Sequence, residues 1–315
     1  GYSRPLTNID KSDLIIVIGS DLTETNPLLA NRISRTARLK ESKSVVINPR
    51  KIELSKSSWR WLAPKPGTEA ALLTWIGKRV GAGLKSAPTA DWLNALNEKQ
   101  LESLTGVSAR LIEDVASAIS KCDRPCLVVG DDYSYVDNRS LGVAASNLLI
   151  LTGKADTEGS GLFPVLDDSN SWGAVAIHKD ARDIRALYAA IKEGRVKALY
   201  VAGEDPIGDW PSGWGEALRT LEFLIVQDTN MTKSAEAAHV VFPSQAFAEM
   251  DGTYWDYQGN ARGIKGSLKP FGGAKTGFQI IGELAKKLRW SIGVPRDVSV
   301  QKNPAVNLSV RNIVP

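Results

Sequence analysis

The stretch DLIIVIGSDLTETNP, at Asp13–Pro27, decides the fold. Its apolar run, LIIVI, is too short for a helix and too continuous for a strand with one exposed face, which is typical of a parallel strand covered on both sides. The run ends at Gly19 and an acidic loop follows. Asn26 and Pro27 then provide an N-cap and a proline at the first helical position. The segment therefore predicts a strand, a polar turn and a helix.

The same alternation of apolar runs and helical periods continues along the chain. Runs of this kind predict strands at 14–18, 44–48 and 126–129, and again at 198–202, 223–227 and 239–242. We therefore predict an α/β protein with two doubly wound, mainly parallel-sheet sub-domains. The predicted limits are 13–152 for the first, with a helical insertion at 81–123, a long loop at 153–175, 176–294 for the second, and an extended tail at 295–315.

An internal repeat links the two halves. LIIVIGSDLTETNP aligns without a gap with ALYVAGEDPIGDWP, which places Gly19 on Gly203, Asp21 on Asp205 and Pro27 on Pro211. Each copy is a strand ending in glycine, a polar loop and a helix start, an arrangement that offers main-chain N–H groups to an anionic or nucleotide ligand. A simple turn after each strand would give the same pattern. Neither G-x-G-x-x-G nor G-x-x-x-x-G-K-[ST] occurs, so a standard NAD-binding motif and a P-loop are not supported.

Composition narrows the classes of function. Of 315 residues 43% are hydrophobic and 23% charged, and the formal net charge is +4 without a long block of like charges, so we expect neither nucleic-acid binding nor direct membrane insertion. The two cysteines, Cys122 and Cys126, are too few for an iron–sulfur cluster held by this chain alone. His178 and His239 are the two histidines, and no G-x-S-x-G motif accompanies them. We predict no catalytic and no metal-ligating residue.

Five ordered segments carry a resemblance to a known family. They are DLIIVIGSDLTETNP, VVINPR, PKPGTEAALL, LYVAGEDP and FLIVQDTNMTKSAEAAHVVFPSQAFAEMDGTY. Together they resemble the molybdopterin oxidoreductase superfamily. Within it, the sequence is most similar to the large iron–sulfur subunit of bacterial NADH:quinone oxidoreductase, which is respiratory complex I.

The resemblance implies the two central α/β domains of an enzyme that binds a pterin-guanine dinucleotide. It also implies that this chain is a fragment and that the iron–sulfur clusters lie in a missing N-terminal region. The positions that match the family's dinucleotide contacts are Gly19, Ser20, Glu24, Asn48, Arg50, Gly67, Glu69, Gly203, Asp205, Asp228, Gly252 and Thr253.

Three of the positions that depart from the family pattern bear directly on cofactor binding. Asn48 and Glu69 each replace an aspartate, and Asn260 replaces an arginine, which changes hydrogen-bonding capacity or charge. With the resemblance to complex I, these changes predict a vacant dinucleotide crevice and no cofactor in this fragment.

Two functions compete. The first is a structural domain that supports electron transfer from NADH to quinone. Its partners are the other subunits of a membrane-associated respiratory complex, and it lies in the cytoplasm on the inner face of the bacterial plasma membrane. Under it, we expect the isolated chain to be inactive. The alternative is the molybdopterin guanine dinucleotide-binding part of an active molybdenum or tungsten oxidoreductase similar to formate dehydrogenase.

Overall fold

The computed structural model describes residues 6–39, 42–83, 95–130, 138–166, 170–171, 173–174, 184–256 and 260–291. These residues form two compact units. The first contains the described residues up to 171, with 255–256 and 260. The second contains 173–174, 184–254 and 261–291.

The first unit is built on a parallel sheet of five strands. The strands are β1 (Leu14–Ile18), β2 (Lys43–Ile47), β3 (Arg60–Leu62), β4 (Pro125–Val129) and β5 (Gly161–Pro164). Their order across the sheet is β3-β2-β1-β4-β5. In the registers that flank the central strand, Ile16 is opposite Val45 on one side and Leu127 on the other. The chain thus builds one half of the sheet first and then returns to build the other.

Helices cover both faces of this sheet. They are α1 (Leu22–Thr25), α2 (Pro27–Leu39), α3 (Glu53–Lys56), α4 (Glu69–Gly83), α5 (Glu98–Thr105), α6 (Ala109–Lys121) and α7 (Asn138–Leu151), and a 3-10 helix spans Leu6–Lys11. Alternate side chains of β1 point to opposite cores: Ile16 packs with residues of α4, α6 and α7, whereas Val17 packs with residues of α2. Burial of every β1 side chain explains its continuous apolar sequence.

The second unit has a parallel sheet of three strands, β6 (Ala198–Ala202), β7 (Phe223–Asp228) and β8 (Val240–Pro243), in that order. Its core joins these strands to α8 (Ile184–Lys192), α9 (Trp214–Arg219) and α10 (Lys233–Glu236). Beyond them lie a 3-10 helix at Phe247–Glu249 and α11 (Gly277–Leu288). Two further strands, β9 (Gly252–Trp255) and β10 (Ala261–Ile264), pair with each other.

All six predicted strands are confirmed within one residue at each end. The interpretation of 153–175 as a loop is wrong for Gly161–Pro164, which pairs with β4 as strand β5. Gly161 and Pro164 are typical of loops, so the sequence did not indicate a strand here. An edge strand pairs with one neighbour through main-chain groups and does not require an apolar pattern. Within the predicted insertion at 81–123, the described residues form the end of α4 and then α5 and α6. The predicted tail at 295–315 lies outside the described residues.

Candidate functional site

The candidate site lies at the carboxyl ends of β1 and β4. After β1 the chain turns toward β2 and β3, whereas after β4 it turns toward β5 on the other side. Two neighbouring parallel strands whose connections diverge leave a crevice between their loops, and ligands of open α/β sheets bind at such a point. Gly19 follows β1 and Gly130 follows β4, so these two glycines mark the crevice.

The main chain is packed closely here. Gly19 has a φ of +71°, which a residue with a side chain rarely adopts. A Cβ at Gly19 would lie 2.9 Å from the carbonyl oxygen of Gly130, and a Cβ at Gly130 would lie 2.2 Å from the Cβ of Ser20. Both contacts are closer than real Cβ atoms tolerate. The base of the crevice is therefore formed by main chain. Gly130 is not among the site residues predicted from the sequence. The sequence shows only that this glycine follows a predicted strand.

Asn48 connects two loops of the site. It follows β2, is fully buried, and its Nδ2 donates to the carbonyl oxygen of Ser20 at 3.4 Å. Its Oδ1 accepts from the main-chain N–H of Arg50 at 2.9 Å, which fixes the orientation of the amide. The indole N–H of Trp61 donates to the main-chain carbonyl of Asn48 at 2.9 Å. An aspartate at this position could not donate to Ser20 when ionised, so the change from the family residue suits the local packing.

The remaining predicted residues of the β1 and β2 loops differ in exposure. Ser20 is buried, and its hydroxyl lies 3.3 Å from that of Thr25. Glu24 and Arg50 are exposed. The main-chain N–H of Glu24 donates to the carbonyl of Asp21 at 2.9 Å, which holds the loop against the start of α1. The structure thus joins Ser20, Asn48 and Arg50 by hydrogen bonds and leaves two charged side chains at the edge.

Glu69 is the most unusual polar group of the first unit. It is the first residue of α4, after a turn in which Gly67 has a φ of +83°. Its side chain is fully buried, and within the described part of the chain neither carboxylate oxygen forms a hydrogen bond of normal geometry. Burial raises the pKa of Glu69 above its ordinary value, although the main-chain amides of Glu69 and Gly67 act in the opposite direction. A buried carboxylate whose nearest amides do not reach normal hydrogen-bond geometry is suited to a ligand that donates hydrogen bonds to it.

The second copy of the repeat has the same glycine conformation as the first, but its aspartate side chain makes different hydrogen bonds. Gly203 also has a φ of +71° and also follows a strand at its carboxyl end. The carboxylate of Asp205 accepts from the main-chain N–H of Ser234 at 2.9 Å, from its hydroxyl at 2.5 Å and from the N–H of Lys233 at 3.2 Å. Burial would raise the pKa of Asp205, but these hydrogen bonds lower it below its ordinary value. Asp205 therefore holds the start of α10 in place.

Other predicted residues of the second unit lie at loop and strand ends. Asp228 ends β7 and its Oδ1 accepts from the main-chain N–H of Asn230 at 3.0 Å. Gly252 and Thr253 are exposed at the start of β9. In the first unit, the side-chain amide of Asn260 donates to the carboxylate of Asp256 at 3.2 Å. Among the described residues there is no group of three or more metal-ligating side chains close enough to share a metal ion.

This chain is similar to known proteins both in sequence and in fold. The family model described as "Molybdopterin oxidoreductase" matches residues 1–287. The F420-dependent formate dehydrogenase subunit alpha of Methanocaldococcus jannaschii is 28% identical over 91% of this chain and 49% of its own length. The NADPH-Fe(3+) oxidoreductase subunit alpha of Geobacter sulfurreducens is 26% identical over 91% of this chain and 39% of its own length. The structure of acetylene hydratase from Pelobacter acetylenicus matches with a TM-score of 0.71 and 15% identity, over 90% of this chain and 50% of that one.

The chain therefore belongs to the molybdopterin oxidoreductase family. It spans less than half of the length of the two curated relatives. The predicted family and the predicted α/β fold with parallel sheets are confirmed. The finer likeness to the large iron–sulfur subunit of complex I is not confirmed, because these relatives are named as a formate dehydrogenase subunit and an NADPH-Fe(3+) oxidoreductase subunit. No helix among the described residues has the length and hydropathy needed to cross a bilayer.

Proposed function

We propose that this chain is the dinucleotide-binding part of a molybdenum or tungsten oxidoreductase of the formate dehydrogenase type. The relatives support this reading over a structural domain of complex I, since one of them is named as a formate dehydrogenase subunit. Both relatives are named as subunit alpha, which supports the presence of partner subunits here too. The family supports molybdopterin guanine dinucleotide as the cofactor.

The observation that carries the proposal is the buried carboxylate of Glu69. Guanine presents two adjacent donors, its ring N1–H and its exocyclic amine, and a carboxylate with two unpartnered oxygens accepts from both. Glu69 has such a carboxylate, and it opens α4 just after the turn at Gly67.

The loops that follow β1, β2 and β4 have further features compatible with dinucleotide binding. Gly19 and Gly130 let the loops after β1 and β4 pack against each other, and Arg50, exposed after β2, supplies positive charge for a diphosphate. We assign a second dinucleotide moiety to the repeated loop at Gly203 in the other unit. The bound cofactor supplies a metal centre that exchanges electrons, and this chain's residues bind and orient its organic part.

Guanine selectivity tests the proposal. We expect GDP to bind the chain more tightly than inosine diphosphate, which lacks the exocyclic amine. Glu69→Gln should reduce this preference, because a hydrogen bond to a charged acceptor contributes about 1.5–3 kcal/mol, or roughly tenfold to a hundredfold in affinity. Glu53→Gln changes an exposed glutamate of the same unit and should leave the preference intact.

A second measurement uses the natural cofactor. The chain is produced in a bacterium that makes molybdopterin guanine dinucleotide, purified, and denatured in acid, and released GMP is quantified by mass spectrometry. GMP in a constant ratio to protein, reduced in Glu69→Gln, supports the proposal. Absence of GMP from the wild-type chain, together with equal affinity for the two diphosphates, would contradict it and favour the structural interpretation.

A further inference from the structure

A separate cavity of about 610 Å³ lies at the opposite end of the first sheet. Its lining includes Arg35, Arg38, Ser42, Lys43, Ser57 and Trp59. Lys43 is the first residue of β2, whereas Asn48 of the dinucleotide site follows the last residue of the same strand. Because a strand rises about 3.3 Å per residue, Lys43 and Asn48 are roughly 17 Å apart along β2. The cavity is therefore distinct from the crevice at the carboxyl ends of the strands.

Positive charge dominates the lining of this cavity. Arg35, Arg38 and Lys43 are all exposed, and within the described part of the chain none of them forms an ion pair. The described lining residues include no aspartate or glutamate. Arg38 lies in the last turn of α2, where a cation also stabilises the helix dipole. Lys43 lies on a strand, so a helix dipole does not explain its position. The three positive charges of the cavity therefore come from two different elements, α2 and β2.

Lys43 is held in place by an aromatic ring. Its ammonium lies 4.6 Å from the ring centroid of Trp59, within the range of a cation–π interaction. Trp59 is itself fixed, because its main-chain N–H donates to the carbonyl of Ser44 at 2.8 Å and the guanidinium of Arg60 lies 4.4 Å from its ring. Restraint of a lysine head group reduces the entropy lost when it binds an anion.

Ser42 adds an independent sign of a missing ligand. The residue is 5% exposed, and its hydroxyl has no hydrogen-bond partner in the described part of the chain. Buried hydroxyl groups are normally hydrogen-bonded, because leaving water without a partner costs free energy. Ser42 lines the same cavity as the three cations. A ligand oxygen bound there would provide the acceptor that the fold lacks.

We propose that this cavity binds a phosphate-bearing small molecule. Two guanidinium groups, one ammonium and one hydroxyl offer more donors than the roughly four lone-pair sites of a single carboxylate accept, whereas a phosphate dianion has three terminal oxygens for them. An adjoining cavity of about 520 Å³ shares Lys43 and Trp59 and is also lined by Asp13, Glu113 and Asp114. These three carboxylates are paired with Arg124, Arg79 and Arg60, so none of these described residues neutralises Lys43 by a direct ion pair.

Calorimetric titration of the whole chain with inorganic phosphate at low ionic strength tests the proposal. We expect saturable binding that weakens at least about tenfold when Arg35→Gln and Arg38→Gln are combined, since charge-assisted hydrogen bonds are lost. The control combines Lys286→Gln and Lys287→Gln, which also removes two exposed charges from the end of one helix, but in the second unit. It should change the affinity by less than about twofold.

Three outcomes would overturn the assignment. They are no saturable phosphate binding, an equal loss of affinity in both double variants, or acetate binding as tightly as phosphate. Glu69→Gln should leave phosphate affinity unchanged, so failure here is distinguishable from failure of the dinucleotide proposal. If the cavity double variant does not fold, Ser42→Ala, which keeps all three charges, gives the decisive comparison. Phosphate affinity unchanged in Ser42→Ala would then contradict the proposal.

Discussion

The α-carbon of Gly130 lies so close to Ser20 that a Cβ built on it would be 2.2 Å from the Cβ of Ser20. The main-chain N–H of Gly130 also donates to the carbonyl of Ile18 at 2.9 Å, so the ends of β4 and β1 are joined up to the point where their loops diverge. The base of the crevice is therefore formed largely by main chain. Two kinds of constraint follow, steric at the glycines and polar at the neighbouring Asn48.

Gly130→Ala should destabilise the chain. The added methyl group would meet the Cβ of Ser20, and relief requires a shift of main chain at the end of β1. Overpacking of this kind typically costs about 1–3 kcal/mol. The free energy of unfolding in urea, compared with that of the wild-type chain, measures the effect.

Gly142→Ala is the matched control for the glycine prediction. Gly142 lies inside α7, and a Cβ there would meet no atom within 4 Å. Alanine has a better helix propensity than glycine, so this variant should gain up to about 1 kcal/mol. A Gly130→Ala variant as stable as the wild type would show that the two loops are further apart than the structure has them.

Asn48→Asp should destabilise the first unit near neutral pH. An ionised carboxylate at this fully buried position cannot donate to the carbonyl of Ser20, and it places a charge away from water. We expect a loss of at least about 2 kcal/mol. Near pH 4 the loss should shrink, because a protonated carboxyl regains an O–H donor. Urea unfolding at the two pH values measures the difference.

Asn97→Asp provides the corresponding control. Asn97 is the exposed N-cap of α5, and its Oδ1 accepts from the main-chain N–H groups of Lys99 and Gln100. A carboxylate caps a helix start as well as an amide does, so stability near neutral pH should stay within about 0.5 kcal/mol of the wild type. Equal effects of the two variants would mean that the amide of Asn48 does not connect the loops.

Asp205→Ala should destabilise the second unit by about 1 kcal/mol, the usual cost of losing a helix cap, because α10 loses the acceptor for its first N–H groups. The pKa of Asp205 is lowered in the folded chain, so its contribution is present above the unfolded value near 3.8 and is lost as pH falls through the lower folded value. The deficit of the variant should therefore disappear in acid. Thermal unfolding as a function of pH measures it, and Asp209→Ala, at an exposed neighbour, should show neither effect.

The sequence predicts those elements whose pattern is set by burial on both faces. The run at Leu14–Ile18 is apolar because all five of its side chains are buried, and the positive φ of the glycines that follow β1 and β6 requires a residue without a side chain. Strand β3, at Arg60–Leu62, is three residues long and too short to show a period. Strand β5 is defined by its pairing with β4, which lies far from it in sequence.

The site is less predictable than the fold, because its properties depend on distant contacts. Asp21 and Asp205 occupy equivalent positions in the repeat, but the carboxylate of Asp205 binds α10, while the main-chain carbonyl of Asp21 accepts from Glu24 and Thr25. Gly130 matters because of Ser20, to which no local pattern connects it. The roles of these residues depend on which loops become neighbours, and the order of strands in the sheet determines that.

Glu69 makes stability depend on pH in the opposite sense to Asp205. Burial raises the pKa of Glu69 above 4.5, against the opposing influence of the amides of Glu69 and Gly67. In the interval between the unfolded and folded pKa values, the folded chain binds more protons than the unfolded chain. Its stability is therefore greatest below the unfolded value and declines as pH rises through the folded value.

Glu69→Gln should remove this decline, because glutamine carries no charge at any pH. The free energy of unfolding of the variant, relative to the wild-type chain, should rise as pH increases from the unfolded pKa of 4.5 through the higher folded pKa of the wild-type carboxyl. Urea unfolding at several pH values measures the relative stability. Glu236→Gln, which changes an exposed glutamate of α10, should give a difference that does not vary with pH. Parallel pH profiles for wild type and Glu69→Gln would show that the carboxylate is hydrated or hydrogen-bonded in the folded chain. The carboxylate of Glu69 would then already have hydrogen-bond donors, which would contradict its assignment to guanine.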